Sequence, residues 1–300
     1  MSIAIGLLLV AIGGLASLVS TLAVGLALAL ASWLLAEYFT RQRRMALPSI
    51  LLLLGFVGAL FVAALALFGG WQAMTDGSQS GLASGAMLMV SGGVAAAAAA
   101  LHWWRFRVPI TIAAGAAGVS VAAISMGAAL LGPAFSLVGV NPVSVLVLIC
   151  GLGVFALAMW FDGRDPARIT RRSDVAFWLH LLAAPMLVHP LFSGTGLSSA
   201  AGRPETAAII VIAFGLLTLV ALAIDRRALI VSALGYAIYA MQTLFGQGGL
   251  LSMGVYGALL MVGLMLVFLS AAWRPARALL IVRLPVGWRA SLPTLAAPPR

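Results

Sequence analysis

Residues 3–38 read IAIGLLLVAIGGLASLVSTLAVGLALALASWLLAEY, 36 positions with almost nothing a water-facing surface could use. The first charged side chain is Glu37, and the first cations follow at Arg41, Arg43 and Arg44. In hydrocarbon every backbone N–H and C=O must be satisfied within its segment, so such a run is helical. As a single helix it would be about 54 Å long. A bilayer core is about 30 Å thick, so one helix would need an extreme tilt. The hydroxyl-bearing stretch Ser17–Thr21 offers a turn, which predicts two tight helices instead.

The 300-residue chain as a whole has the same character: 63% of residues are hydrophobic, 8% are charged, and mean hydropathy is +1.16. A soluble domain carries roughly a quarter of its residues charged. The 17 basic and 7 acidic residues here cannot clothe a protein of this size in water. The reading is an all-α, polytopic transmembrane helix bundle. Spans fall near 3–18, 21–39, 48–70, 83–101, 108–131, 143–161, 174–192, 205–224, 228–245 and 250–273. The count is ten, or nine if 3–38 is one span. Met1-Ser2-Ile3 lacks a basic n-region, so no secretory signal is read there. Residues 1–273 then form one transmembrane helical domain, and 274–300 a cytoplasmic tail. Its stretch Ala276–Pro285 is too short to span and suits the interface. Ala296–Arg300 reads as disordered.

Every basic residue is arginine, and the arginines fall on alternate breaks. One side receives Arg41, Arg43, Arg44, Arg105, Arg107, Arg164, Arg168, Arg171, Arg172, Arg226, Arg227, Arg274, Arg277, Arg283, Arg289 and Arg300; the other receives only Arg203. This positive-inside pattern places the arginine-rich breaks in the cytoplasm and, with ten spans, both termini as well. The formal charge of +10 is therefore an inner-face property that meets anionic headgroups. Arg171, Arg172, Arg277 and Arg283 are the candidate headgroup contacts. No basic patch is interleaved with aromatics as nucleic-acid binding would require. The basic junctions recur about every 60 residues. An array of hairpins gives that spacing by itself and is preferred over an internal duplication. Gly81-Leu-Ala-Ser-Gly85, Gly92-Gly-Val with its six alanines, and Gly115-Ala-Ala-Gly118 permit close helix–helix approach.

A charge at the bilayer centre costs roughly 2.5–3.5 kcal/mol, and the spans hold no acid or arginine near mid-depth. The most unusual segment is Arg171-Arg-Ser-Asp-Val-Ala-Phe-Trp-Leu-His-Leu-Leu-Ala-Ala-Pro-Met-Leu-Val-His-Pro190. Ser173 or Asp174 can cap the seventh helix, where an acid also suits the helix dipole. His180 lies about two turns in, and His189 about 14 Å further on the opposite face, so the two cannot chelate one metal. Pro185 between them removes a backbone hydrogen bond. The candidate cavity or solute path is the inner half of this helix, with Asp174, Trp178 and His180, faced by Glu37. His189 lies beyond, and Tyr239 and Gln242 form a polar stripe with Tyr236 on the ninth helix. The single Cys150 excludes an internal disulfide. His102 sits at the cytoplasmic boundary and offers no partner for a bis-histidine haem. No HExxH, GxSxG or P-loop motif occurs, and no catalytic residue, metal or cofactor is assigned.

Arg171–His180 and Ala183-Ala-Pro-Met-Leu-Val-His189, with Leu35-Ala-Glu-Tyr-Phe39, Arg43 and Leu47-Pro-Ser-Ile50, resemble uncharacterised multi-pass inner-membrane proteins of proteobacteria. The resemblance implies a bacterial inner membrane and marks those residues as candidates; it implies no reaction. The ten-span, 300-residue format is also similar to that of drug/metabolite-type exporters. Three functions fit these readings. The first is a small-solute transporter or permeability protein. The second is a non-catalytic scaffold or assembly factor that holds a partner membrane protein or a second copy. The third is an intramembrane enzyme acting on a lipid. Membrane lipids are partners in all three.

Overall fold

A computed structural model describes residues 1–68, 81–137, 141–165, 168–193, 215–216, 218–226 and 253–283. Every regular element among them is helical. The N-terminal run is two helices, α1 (Ser2–Ser17) and α2 (Thr21–Ala36), turning where the hydroxyls predicted. Ser20 caps α2, its side chain accepting from the Ala23 N–H at 3.1 Å. At its other end α2 widens into a π-helical turn, Glu37–Gln42. The later elements are α3 (Ala46–Leu67), α4 (Gly81–Phe106), α5 (Ile110–Leu137), α6 (Pro142–Gly163), α7 (Arg171–Ser193) and α8 (Met253–Arg283). Residues 218–224 are also helical.

Five helical stretches are long and apolar enough to cross a membrane: Thr21–Gln42, Ala46–Leu67, Ser84–Phe106, Ile110–Gly132 and Pro142–Gly163. Helix α1 is apolar but, at 16 residues, shorter. These are the helices of an integral membrane protein. The expected span 228–245, with Tyr236, Tyr239 and Gln242, lies outside the described residues. Residue 273 is no break in the chain. Helix α8 continues through Pro275 to Arg283, where the sequence suggested a separate interfacial tail from 274. Trp273 and Arg277, one helical turn apart, are both buried and hold that stretch to its neighbours.

The chain forms two compact units, Met1–Cys150 and Gly151–Arg300. In the first, α1 packs on α2 and α3, α2 on α3, α3 on α4, and α4 on α5. Small residues set the closest approach. A Cβ at Gly92 would stand 2.7 Å from Ala122 N and Gly118 O, and one at Gly118 would stand 2.7 Å from Ala96 N. The Gly92 and Gly115–Gly118 tracts are therefore spent on the α4–α5 contact inside the chain. In the second unit Ala184, Ala221, Leu222, Ile224 and Trp273 form a core flanked by Phe155, Met159, Ala276 and Leu280.

Four non-glycine residues adopt left-handed backbone: Arg44 (φ 51°), Arg107 (56°), Arg168 (55°) and Asp225 (56°). All four sit in the arginine-rich breaks. Asp225 shows why. Its N–H donates to Leu222 O at 3.3 Å, and the Arg226 N–H donates to Ala221 O at 3.0 Å. These two bonds close a Schellman cap, which needs a left-handed residue between them.

Gly92→Ala should lower stability by about 1–3 kcal/mol, the usual cost of overpacking. Gly93→Ala, where an added methyl meets nothing within 4 Å, should not. Thermal unfolding of the detergent-solubilised protein distinguishes them, and equal midpoints would contradict the α4–α5 contact.

A buried ionic cluster around His180

Apolar residues carry Asp162 inward. It ends the run Met159-Trp-Phe-Asp162 within the last turn of α6 and is 5% exposed. A carboxylate so placed must be paired. Arg226, 7% exposed, supplies the pairing: its Nε donates to Asp162 Oδ2 at 3.0 Å and its Nη2 to Oδ1. The same Nη2 donates to Ser173 O at 3.2 Å and reaches Ser173 Oγ at 3.4 Å. The fork thus joins α6, the start of α7 and the residue that follows segment 218–224.

His180 is completely buried on α7. Its Nδ1 lies 2.7 Å from Ala176 O and 3.9 Å from Asp162 Oδ2. A carbonyl only accepts, so Nδ1 carries the proton. In the neutral ring Nε2 is then a bare acceptor, and among the described residues it has no hydrogen-bond partner. An unpaired buried acceptor costs about 1–3 kcal/mol. The Phe155 ring stands edge-on to the imidazole at 5.5 Å between centroids.

A second cluster adjoins the first because Asp225 precedes Arg226. Asp225 accepts from Trp273 Nε1 at 2.8 Å and from Arg168 Nη1 at 3.1 Å, and Arg277 Nε stands 3.9 Å away. Arg168 also donates to Ile224 O at 3.0 Å, tying its loop to the capped helix end. Between α6 and α7, Asp165 accepts from Thr170 Oγ1 at 2.6 Å, Thr170 N at 2.8 Å and Ile169 N at 3.3 Å. The Thr170 hydroxyl, helped by these amides, holds the Asp165 carboxyl below the usual carboxylate range.

The candidate path residues are only partly gathered here. His180 has an acid beside it, but that acid is Asp162, not Asp174, which is exposed. Asp174 is not the cap either. Helix α7 begins at Arg171, so Thr170 holds that position, its hydroxyl accepting from the Arg172 N–H at 3.3 Å. Ser173 lies inside the first turn and faces Arg226 instead. Trp178 is half-buried and pairs edge-on with Phe177 at 5.4 Å, while His189 is exposed. Glu37 belongs to the first unit, where it accepts from Arg105 at 2.8 and 3.0 Å and from Arg41 at 3.3 Å. Among the expected headgroup contacts, Arg171, Arg172 and Arg283 are exposed. Arg277 differs: it is 4% exposed, because Asp225 draws it inward.

The first unit has a comparable feature. His102 is fully buried among Trp33, Phe56 and Phe106, at 6.3, 6.1 and 4.6 Å between centroids. Its Nδ1 lies 3.4 Å from Thr111 Oγ1, and among the described residues its Nε2 has no partner. Among the described residues, no three His, Cys, Asp or Glu side chains converge on a metal position. No protein-family model matches the chain, and no curated protein or solved structure is significantly similar to it. Its own geometry must carry the functional reading.

Asp162→Ala strands Arg226 in the interior and should cost about 3–5 kcal/mol. Asp174→Ala, at an exposed position, should stay within about 0.5 kcal/mol. Thermal midpoints in detergent measure both, and Asp162→Ala with Arg226→Leu should recover most of the loss. The Asp165 turn gives a pH prediction. Its folded carboxyl titrates below the ordinary value of 3.8, so its contribution is complete above that value and is lost as pH falls through the lower one. Hydrogen exchange at the Thr170 amide should therefore stay slow until strong acid. Thr170→Val, which removes the main stabilising hydroxyl, should move the loss to higher pH.

Proposed function

We propose that this chain is a ten-span inner-membrane protein with both termini in the cytoplasm, and that it conducts a small solute through its helical interior at His180. One observation carries the reading: a fully buried imidazole with an unpaired Nε2, set beside the neutralised Asp162–Arg226 pair. His102 also has an open Nε2, but it is ringed by Trp33, Phe56 and Phe106 with no acid beside it among the described residues, whereas His180 adjoins Asp162. An ionisable side chain inside a helix bundle, with a charged neighbour, is the kind of residue that marks a solute path. The sixteen-to-one arginine asymmetry supports the orientation, and the resemblance to proteobacterial proteins supports the choice of membrane. The scaffold reading loses part of its motive, since the Gly92 and Gly115–Gly118 tracts already serve the α4–α5 contact.

Proteoliposomes test the transport reading. Stopped-flow light scattering would follow a panel of polyols, amides and small aromatic alcohols across vesicles with and without the purified protein. At least one solute should cross faster with protein, and His180→Ala should slow it by about tenfold, the worth of one good hydrogen bond. Equal fluxes across the whole panel would sink the reading. The orientation is checked in a Cys150→Ser background: Gln42→Cys should be shielded from an impermeant thiol reagent in whole cells, and Gly202→Cys labelled.

A further inference from the structure

We infer that His180 selects an uncharged, largely apolar molecule carrying an N–H or O–H donor. This rests on the solute-conducting reading above and names the class of solute. The Nδ1 proton is committed to Ala176 O at 2.7 Å, which leaves Nε2 as the ring's open atom and makes it an acceptor. A ligand for it must therefore donate. Among the described residues a charged ligand finds no free counter-charge there. Asp162 is the acid beside the ring, and both of its oxygens are held by Arg226. Arg168, the next cation, is held by Asp225 and Ile224 O. The body of the ligand meets apolar surface: Phe155 stands edge-on to His180 and belongs to the same packed group as Met159 and Ala184. An acceptor fixed in this way favours a donor over its methylated analogue by about tenfold, the worth of one neutral hydrogen bond.

The chain has three histidines, His102, His180 and His189, so nitrogen NMR of the full chain labelled with 15N-histidine in lipid nanodiscs can resolve each. His189→Gln and His180→Phe assign the signals. The probes are indole, which has one N–H, and 1-methylindole, which has none. The expected result is an unprotonated Nε2 at His180 whose resonance moves saturably with indole and stays put with 1-methylindole. His180→Phe should weaken indole binding by about tenfold. A protonated Nε2 in the neutral ring, an equal response to both probes, or no response to either would overturn the inference. If His180→Phe does not fold, the two-probe contrast on the unmodified chain still decides. The two readings also fail separately. An indole-specific shift in a protein that conducts nothing keeps the binding site and removes transport. Flux through a protein whose Nε2 stays silent removes the site.

Discussion

A guanidinium near the end of a membrane helix can be solvated in two ways: by water and headgroups outside, or by a carboxylate within. Both units use the second way. In the first, Glu37 in the widened end of α2 takes Arg105 from the end of α4; in the second, Asp162 at the end of α6 takes Arg226. The partners are 68 and 64 residues apart. The environments differ, and so does what each pair does. The side chains of Glu37 and Arg105 are 30% and 31% exposed, so their attraction is screened and worth little. Those of Asp162 and Arg226 are 4% and 8% exposed. Neither of these can lose the other without leaving a bare charge in the interior. The start of α7 is held to the same fork through Ser173, and the position of His180 follows from it.

The helices were legible in the sequence because lipid makes backbone satisfaction compulsory, and a long apolar run then has one structural answer. The turn between α1 and α2 was legible for a related reason: 36 nearly uninterrupted apolar positions exceed what one crossing can hold, and Ser20 was available to cap the second helix. Helix ends were less so. Helix α4 reaches Phe106, five residues past the apolar run, because His102 and Phe106 pack with Trp33 and Phe56 while Arg105 turns to Glu37. Helix α8 likewise outlasts its apolar core because Trp273 and Arg277 both face Asp225.

The ionic cluster was the least legible part. Asp162 and Arg226 read along the chain as loop charges in two separate breaks, and linear spacing cannot show that those breaks converge. A weaker signal was present. Asp162 follows Met159-Trp-Phe without a break in helical character, so it had to lie inside the helix end. Asp174 was the more conspicuous acid because it shares a helix with His180. Six residues on a helix of 3.6 per turn set the two on different faces, however. The acid that meets the imidazole had to come from another helix.

In a medium without water, acids and arginines near a site attract each other before they attract a solute, and once paired they present little net field. What remains for recognition is whatever polar atom the pairing leaves out. At His180 that atom is a lone pair whose orientation is fixed, since Ala176 O holds the opposite nitrogen. Such a group binds weakly, with one neutral hydrogen bond's worth of energy. Under the proposed transport function, weak binding would suit passage, because a solute held by one neutral hydrogen bond is readily released. A site built on a free carboxylate at the same depth would bind more tightly and release more slowly. The Asp162–Arg226 pair therefore holds three helical segments together and, in the proposed path, leaves His180 beside a charge that is already neutralised.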